Sequence, residues 1–277
     1  MAVTSGKKAV QKTSLIERAV VASAQLTRYA IKGKTVNKDK PVMTTNGLEA
    51  FVEKGVTNWT FELSNTKVIS PQKIKLPFVS VSADWLSTQQ ALEKGVDVVY
   101  GNSANSFGSL GALLLPGDFK IPTVLASIDN VKHYGLSLIE NNSEFAISSE
   151  QYQIAMMRYD YNKDYKKDFL MQKYGGGGVF VETHNFPHVH IPLSKKCGGY
   201  IVIGKQIAAN EYHFTAFQIP YGYALYTPSN TIHGDGTLVG EYALTVADGA
   251  FCHAETVLMY NRDTLSMSKG VVADWKI

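Results

Sequence analysis

From residue 147 onward, apolar and polar residues alternate in short runs, and this period of two constrains the fold more than any other feature of the chain. In an extended strand, successive side chains point to opposite faces, so the period is that of half-buried strands. Eight segments fit it: 151–161, 178–184, 188–194, 200–205, 212–218, 223–227, 241–247 and 256–260. Gly, Pro, Asn and Asp separate them at short spacing, which favours an all-β sandwich or closed barrel.

The first 140 residues have a more mixed pattern. Ser14 and Glu17 have the spacing of a capping box, and apolar residues follow at helical intervals, so we predict a helix over residues 15–31. On this basis residues 1–140 form a partly helical N-terminal extension of mixed elements that packs on a barrel made by residues 141–277.

Three further elements are expected inside that extension. The sequence predicts an extended segment at 73–81, a short helix at 84–94 closed by Gly95, and a buried strand at 96–100. The glycine-rich stretch 101–111 is not followed by the Gly-Lys-Ser/Thr of a phosphate-binding loop, so it is predicted to be a plain loop.

Charge and composition exclude several classes of function. The 27 basic and 24 acidic residues give a net charge of only +3 with no long basic run, which argues against nucleic-acid binding. No run of about 18 apolar residues offers a membrane span, and no apolar stretch directly follows Lys7 and Lys8 as in a secretory signal. Two cysteines cannot make a disulfide framework. We therefore expect a cytoplasmic protein, with signal-independent export left open.

Five of the seven histidines fall between His184 and His233. His188 and His190 occupy alternate positions of one predicted strand, so their imidazoles project from the same face. Two such imidazoles and a third from a neighbouring strand form an open metal site with positions left for water or substrate. His133 and His213 stand alone in the sequence and are predicted to be structural.

These residues resemble two motifs of the cupin family. Gly222, Pro228 and His233 have the spacing of the second motif, in which Asn230 replaces a second glycine. The first motif's His-x-His is similar to the stretch from His188 to His190, and residues 200–204 resemble the strand and glycine that close it. The resemblance covers residues 147–260 and implies a cupin-type double-stranded β-helix, or jelly-roll barrel, with His188, His190 and His233 as metal ligands.

The sequence departs from the family at the usual glutamate, which would fall at Ser194 or Lys195. Two ligand sets remain open. Either the site has three histidines, or Glu182 and His184, which share one face of the preceding strand, complete it. An alternative register starts at Gly178 and makes His184 the first ligand, with Phe186 at the second histidine position.

Another metal site stays open as an alternative. His233-Gly-Asp235 resembles the His-x-Asp of 2-oxoglutarate oxygenases, which share the barrel, and His253 would then be the distal histidine. Their distal histidine usually lies much further along the chain than His253 does here.

The resemblance implies a metal-dependent cupin enzyme that acts on a small molecule, with a non-haem metal oxygenase, dioxygenase-like, as the favoured class. The alternatives are a metal-dependent sugar isomerase or epimerase, and a non-catalytic small-ligand or sugar-binding module. The expected cofactor is one divalent transition metal: Fe, Zn, Mn or Ni. Tyr221, Tyr223 and Tyr226 flank the second motif and are candidates to orient substrate or act as an acid. A homodimer is a further expectation, and neither nucleic acid nor membrane is expected as a partner.

The second motif also makes a geometric prediction. Pro228 cannot donate to a strand ladder, so it should end the strand at 223–227. Asn230 should adopt a positive φ in the turn, and His233 should begin the next strand with its imidazole directed at His188 and His190.

Overall fold

The computed structural model describes residues 2–5, 26–52, 55–63, 75–97, 110–149, 151–247 and 254–275. Within these ranges the chain is mostly β-sheet, as the alternating pattern predicts. In chain order the strands are β1 (Ala2–Ser5), β2 (Thr27–Lys32), β3 (Thr35–Val52), β4 (Gly55–Glu62), β5 (Val79–Ser82), β6 (Asp84–Leu86), β7 (Leu110–Leu115), β8 (Thr123–Leu125), β9 (Ser137–Glu140), β10 (Glu144–Ser149), β11 (Ile154–Tyr161), β12 (Phe180–His184), β13 (His188–Pro192), β14 (Gly198–Ala208), β15 (Glu211–Gln218), β16 (Tyr223–Thr227), β17 (Ile232–Ala247) and β18 (Ala254–Asn261). The helical elements are α1 (Thr88–Glu93), a 3-10 turn (Asn130–Tyr134) and a π-helical turn (Lys166–Leu170).

Strand β17 joins two sheets. Its C-terminal half pairs with β11 and β13 in a first sheet, of order β2-β3-β11-β17-β13-β16-β9, which is antiparallel throughout. Its N-terminal half pairs with β12 and β14 in a second sheet, of order β6-β7-β18-β12-β17-β14-β15, and β5 and β8 both add to β15. One bent strand therefore carries the chain from one sheet to the other.

Each face of the first sheet packs against a different layer. Met157 and Leu244 belong to the main core, which takes side chains from both large sheets. Met156 on the opposite face belongs to a second cluster with Trp59 and Phe61 of β4. Strand β4 is the centre of a small third sheet, of order β1-β4-β10. Because side chains alternate along β11, its two faces contribute residues to two separate hydrophobic cores.

All eight strands predicted after residue 147 are present, and β16 has the predicted bounds. Strand β17 begins nine residues before the predicted segment at 241–247, because its first half pairs in the second sheet. Strands of the first 140 residues join these sheets directly: β3 pairs with β11, β7 with β18, β9 with β16, and β5 and β8 with β15. No helix in the described part of the chain is long and apolar enough to cross a membrane.

The helix predicted over residues 15–31 is wrong at its C-terminal end. Residues 27–31 lie in β2, which forms a hairpin with β3, and residues 15–25 lie outside the described ranges. Gly33 takes a φ of +60° in the connecting turn. The β-prone Tyr29 and Ile31 and the ladder to β3 outweigh the helical spacing of Leu26 and Ala30, since local propensity yields to tertiary pairing.

The short helix is confirmed in part. It covers Thr88–Glu93 with a complete capping box from Ser87, and Gly95 follows it with a φ of +83°. Residues 84–86, predicted helical, form β6 instead. Of the predicted extended segment 73–81, residues 79–81 lie in β5.

The elements predicted next to that helix fall mostly on undescribed residues. Val96 and Asp97 lie in no strand, and residues 98–100 of the predicted strand are outside the described ranges. So are residues 101–109 of the predicted loop, while Leu110 and Gly111 begin β7.

Candidate metal centre

Three neighbouring strands place a group of polar side chains in the interior. Strand β12 carries Glu182 and His184 two positions apart, so both side chains leave the same face. Strand β13 carries His188, and β17 carries His233 in its second position. Glu182 and His233 are direct cross-strand partners.

A close approach of backbones brings β17 against β12. A Cβ atom on Gly234 would lie 2.1 Å from the carbonyl oxygen of Phe180. Any side chain at this position would therefore push the two strands apart and separate His233 from Glu182. The glycine after the histidine is thus a requirement of the site.

The turn before His233 has the predicted geometry. Strand β16 ends at Thr227, directly before Pro228, and Asn230 has a φ of +62°. The Asn230 N–H donates to the carbonyl oxygen of His184 at 2.7 Å, which fixes the turn against the end of β12. His233 follows near the start of β17, and its ring centroid lies 4.9 Å from that of His188. The predicted end of β16 and the positive φ of Asn230 are confirmed, and His233 approaches His188 as predicted, but His190 does not belong to the group that His233 joins.

The three imidazoles surround a common point with Glu182. Their ring centroids lie 4.4 Å (His184–His188), 4.7 Å (His184–His233) and 4.9 Å (His188–His233) apart, and each pair is close to perpendicular. One ligand atom from each of the four residues lies within 4.8 Å of the others, and all four residues are buried. Ligands on opposite sides of an octahedral ion are about 4.2 Å apart, so small adjustments would close the group around a metal. We call Glu182, His184, His188 and His233 the inner group.

Several imidazole nitrogens of the inner group have no hydrogen-bond partner among the described residues. Both ring nitrogens of His184 lack a hydrogen-bond partner among the described residues, and so does the Nε2 of His233. The His233 Nδ1–H donates to the Thr231 carbonyl oxygen at 2.9 Å, which leaves the Nε2 lone pair exposed to the group, 3.8 Å from Glu182 Oε1. An imidazole held in this way at one nitrogen is oriented to ligate a metal through the other.

The electrostatics of the group fit a bound cation. Burial lowers the pKa of His184 to about 2 and that of His233 to about 4, and it lowers the pKa of His188 well below its ordinary value. Neutral imidazoles have the lone pairs that a metal needs. Burial, with a smaller contribution from Asp235, raises the pKa of Glu182 to about 8. The donor set of three imidazoles and one carboxylate, with unpartnered buried nitrogens, therefore fits a divalent transition metal, which would neutralise the carboxylate.

Glu182 has one supporting contact that the sequence reasoning missed. The buried Thr256 hydroxyl of β18 donates to Glu182 Oε2 at 3.1 Å and leaves Oε1 directed at His233. Thr256 is the direct partner of Glu182 across the β12–β18 ladder. Such a pairing depends on register, for which the sequence offers no local signal.

His190, predicted as a ligand, lies beside the inner group. It is fully buried, and its ring centroid lies 5.2 Å from that of His188, yet its Nε2 is 3.9 Å from Asp235 Oδ2. Neither ring nitrogen of His190 has a hydrogen-bond partner among the described residues, whereas Asp235 accepts a hydrogen bond from the Tyr161 hydroxyl at 3.0 Å. Burial opposes ionisation of Asp235, but His190, His233 and Tyr161 together hold its pKa below its ordinary value. The two residues of the His-x-Asp alternative therefore lie in different places: His233 joins the inner group, and Asp235 faces His190. His253, the third residue of that alternative, lies outside the described residues.

The three candidate tyrosines are not brought together. Tyr223 is buried in the main core, on the same face of the first sheet as Leu225 and His190. Tyr221 and Tyr226 pack against the second cluster, and Tyr226 faces Val189 on the side of the sheet away from the histidines. The period of two places residues 223 and 226 on opposite faces of the strand, so the separation of Tyr223 from Tyr226 was predictable from the sequence.

The remaining site candidates fall away from the inner group. Ser194 and Lys195, where the resemblance to cupins would place a glutamate, follow β13 and do not belong to the group. His133 and His213, predicted to be structural, contact each other through Nε2 and Nδ1 at 3.1 Å.

Comparison with known proteins returns no match: no protein-family model fits the chain, and neither a curated protein nor a solved structure is significantly similar to it.

Proposed function

We propose that this chain is a metal-dependent protein of the cupin type, in which Glu182, His184, His188 and His233 bind one divalent transition metal. The observation that carries the proposal is the inner group itself. Four buried potential ligands converge, and both ring nitrogens of His184 and the Nε2 of His233 lack a hydrogen-bond partner among the described residues. Buried polar atoms without partners are costly, and a bound ion would accept the lone pair of one nitrogen in each imidazole.

The architecture supports a double-stranded β-helix. Two sheets continue into each other through β17, the first of them antiparallel throughout, and the histidines lie on strands facing the core that both sheets share. The spacing of Gly222, Pro228 and His233 agrees with the second cupin motif. The donor set also has the composition of the family's three histidines and one glutamate, with Glu182 supplied by a strand before the expected position.

The proposed reaction class is an oxygenase that acts on a small molecule. A six-coordinate ion with four protein ligands would keep two positions open, and such an ion can polarise a substrate oxygen or activate dioxygen. The protein's own contribution would be to hold the imidazoles neutral through burial, to fix the His233 tautomer through Thr231, and to orient Glu182 through Thr256. The surrounding core would exclude bulk water from the ion.

A non-catalytic role for the metal is the second candidate. All four inner-group residues are at most 6% exposed, and a closed four-ligand shell is typical of structural metal sites. The same residues would then stabilise the junction of β12, β13 and β17 rather than perform a reaction. Both the structural role and the enzymatic role require a bound metal.

One experiment tests the metal and separates the two roles. The protein is stripped with a chelator, reconstituted with Co²⁺, and its visible spectrum is recorded before and after addition of azide. We expect one Co²⁺ per chain, and a spectral change with azide if a coordination position is open. An azide-insensitive spectrum would support the structural role, whereas failure to retain Co²⁺, Zn²⁺, Mn²⁺ or Fe²⁺ would refute the proposed function.

A further inference from the structure

A second site lies on the opposite face of the strands that carry the inner group. Thr183 and Ile232 alternate with the ligands of β12 and β17, so their side chains point away from the metal group. They line a cavity of about 580 Å³, with Gly204 among its lining residues. This volume is within the range of small-molecule sites. We call it the outer groove.

One wall of the outer groove is aromatic. Trp85 of β6 and Tyr212 of β15 both line it, and their rings stack with centroids 6.4 Å apart and an interplanar angle of 26°. Trp85 is half-buried, so part of its indole remains accessible to a ligand. Tyr212 is buried, so the aromatic contact available to a ligand comes from the Trp85 indole.

Another part of the lining is a set of amides. Gln206, Asn210 and Asn230 line the groove and are exposed. Among the described residues, no hydrogen bond involves any of their side chains. Each amide can both donate and accept, so together they offer matched partners for several hydroxyl groups.

The charge of the groove is close to balanced. Lys205 and Glu255 also line it, with opposite charges, and the Lys205 ammonium donates to the carbonyl oxygen of His133 at 3.2 Å. A phosphate or a polyanion would require concentrated positive charge or a bidentate cation. The lining therefore favours a neutral, polar ligand.

We propose that the outer groove binds a neutral saccharide of one or two rings. An aromatic surface matches the apolar face of a sugar ring, and unengaged amides match its hydroxyl groups, while the balanced charge disfavours acidic or phosphorylated ligands. The site is separate from the inner group, and it would exist whether or not a metal is bound.

Two turn residues allow a clean test. Asn210 and Asn230 have φ values of +57° and +62°, which glycine adopts without steric cost. The double variant Asn210→Gly/Asn230→Gly thus removes two amides while keeping the turns. Trp85→Ala removes the aromatic surface, and Val36→Ala, at an exposed residue of β3 that does not line the groove, is the matched control.

The experiment is a ligand-observed NMR titration of the full chain with glucose, galactose, mannose, cellobiose, maltose and lactose, with glucuronate as the charged comparison. We expect saturable binding of at least one neutral sugar, weakened about tenfold or more in the glycine double variant and in Trp85→Ala. Circular dichroism should be unchanged in the glycine variant, which would identify the loss as local. Absence of saturation for every neutral sugar, tighter binding of glucuronate, or full binding by both variants would overturn the proposal.

Discussion

Two groups of histidines in this protein differ in what surrounds their nitrogens. In the inner group, both nitrogens of His184 and the Nε2 of His233 have no hydrogen-bond partner among the described residues. In the outer pair, His133 and His213 bind each other at 3.1 Å, and the ring of Phe78 stacks on both. The outer pair shares one hydrogen bond, whereas those nitrogens of His184 and His233 have no partner among the described residues.

The two groups also differ in charge and exposure. The inner group includes the buried carboxylate of Glu182, while Phe78 beside the outer pair is 47% exposed. Burial lowers the pKa of His133 too, followed by the charges of Lys205 and His213, but no carboxylate belongs to this pair. The comparison teaches that histidine number does not define a metal site, since available lone pairs and a compensating negative charge are also needed.

The largest expected effect comes from removing two inner ligands. His184→Ala/His188→Ala should weaken metal binding about ten-thousand-fold or more, since structural zinc sites bind with about 10–16 kcal/mol in total and half of the ligands are lost. Competition against a chromophoric chelator measures the affinity. His133→Ala/His213→Ala is the matched control. An equal loss of metal affinity in both double variants would contradict the assignment of the metal to the inner group.

The metal-free protein should be most stable near pH 6.5. The inner histidines have folded pKa values below their unfolded value of about 6.5, so stability is lost as the pH falls below that point. The folded pKa of Glu182 is raised to about 8, so its contribution is full below its unfolded pKa and is lost as the pH rises through 8. Below pH 6.5 the three imidazoles outweigh the one carboxylate, by a few kcal/mol at about 1.4 kcal/mol per group and pH unit.

Denaturant unfolding from pH 4.5 to 8.5, with chelator present, measures this profile. Added Zn²⁺ should remove the decline above pH 6.5, because the ion compensates the carboxylate. A metal-free profile that keeps rising from pH 6.5 to 8 would contradict the assignment of Glu182.

Glu182→Gln should have opposite effects on binding and on the metal-free fold. Metal affinity should fall about 100-fold or more, because the variant keeps the shape but loses the charge of a ligand. The metal-free variant should be more stable than the wild type at pH 8.5, since no buried carboxylate has to ionise. Chelator competition and denaturant unfolding measure the two effects, and a fall in both would indicate simple loss of packing.

His190→Gln should cause a smaller loss of affinity than removal of any inner ligand. His190 touches His188 by ring contact and faces Asp235, so it would act on the metal through its neighbours. Losses of about 10- to 100-fold are typical for such supporting residues. A loss as large as that of His188→Ala would instead make His190 a ligand, as the sequence motif predicts.

The outer pair should contribute nothing to metal binding. His213→Gln should leave the metal stoichiometry at one per chain and the affinity unchanged within about twofold, because this residue shares no contact with the inner group. Elemental analysis and chelator competition measure both values. A measurable drop in stoichiometry would reveal a second metal at the outer pair.

The sequence predicted the strands of the second half and the turn that positions His233, because both depend on local chemistry. Pro228 ends a ladder and Asn230 tolerates a positive φ wherever they occur. Glu182 and His184 were placed on one face for the same reason, since the period of two is local.

Other features depended on pairing between distant segments. His188 and His190 share one face of β13, so the sequence could not decide which of them β17 and β12 would approach. The strand at residues 27–32 is fixed by its ladder to β3, which local helical spacing hid. Register across β12 and β18, which brings Thr256 to Glu182, has no local signal either.

The most direct test of the metal centre is anomalous scattering from crystals grown with Zn²⁺. The account predicts one strong anomalous peak per chain, about 2.0–2.2 Å from a nitrogen of His184, His188 and His233 and from an oxygen of Glu182. A peak between His190 and Asp235 or at the His133–His213 pair, with none in the inner group, would contradict it.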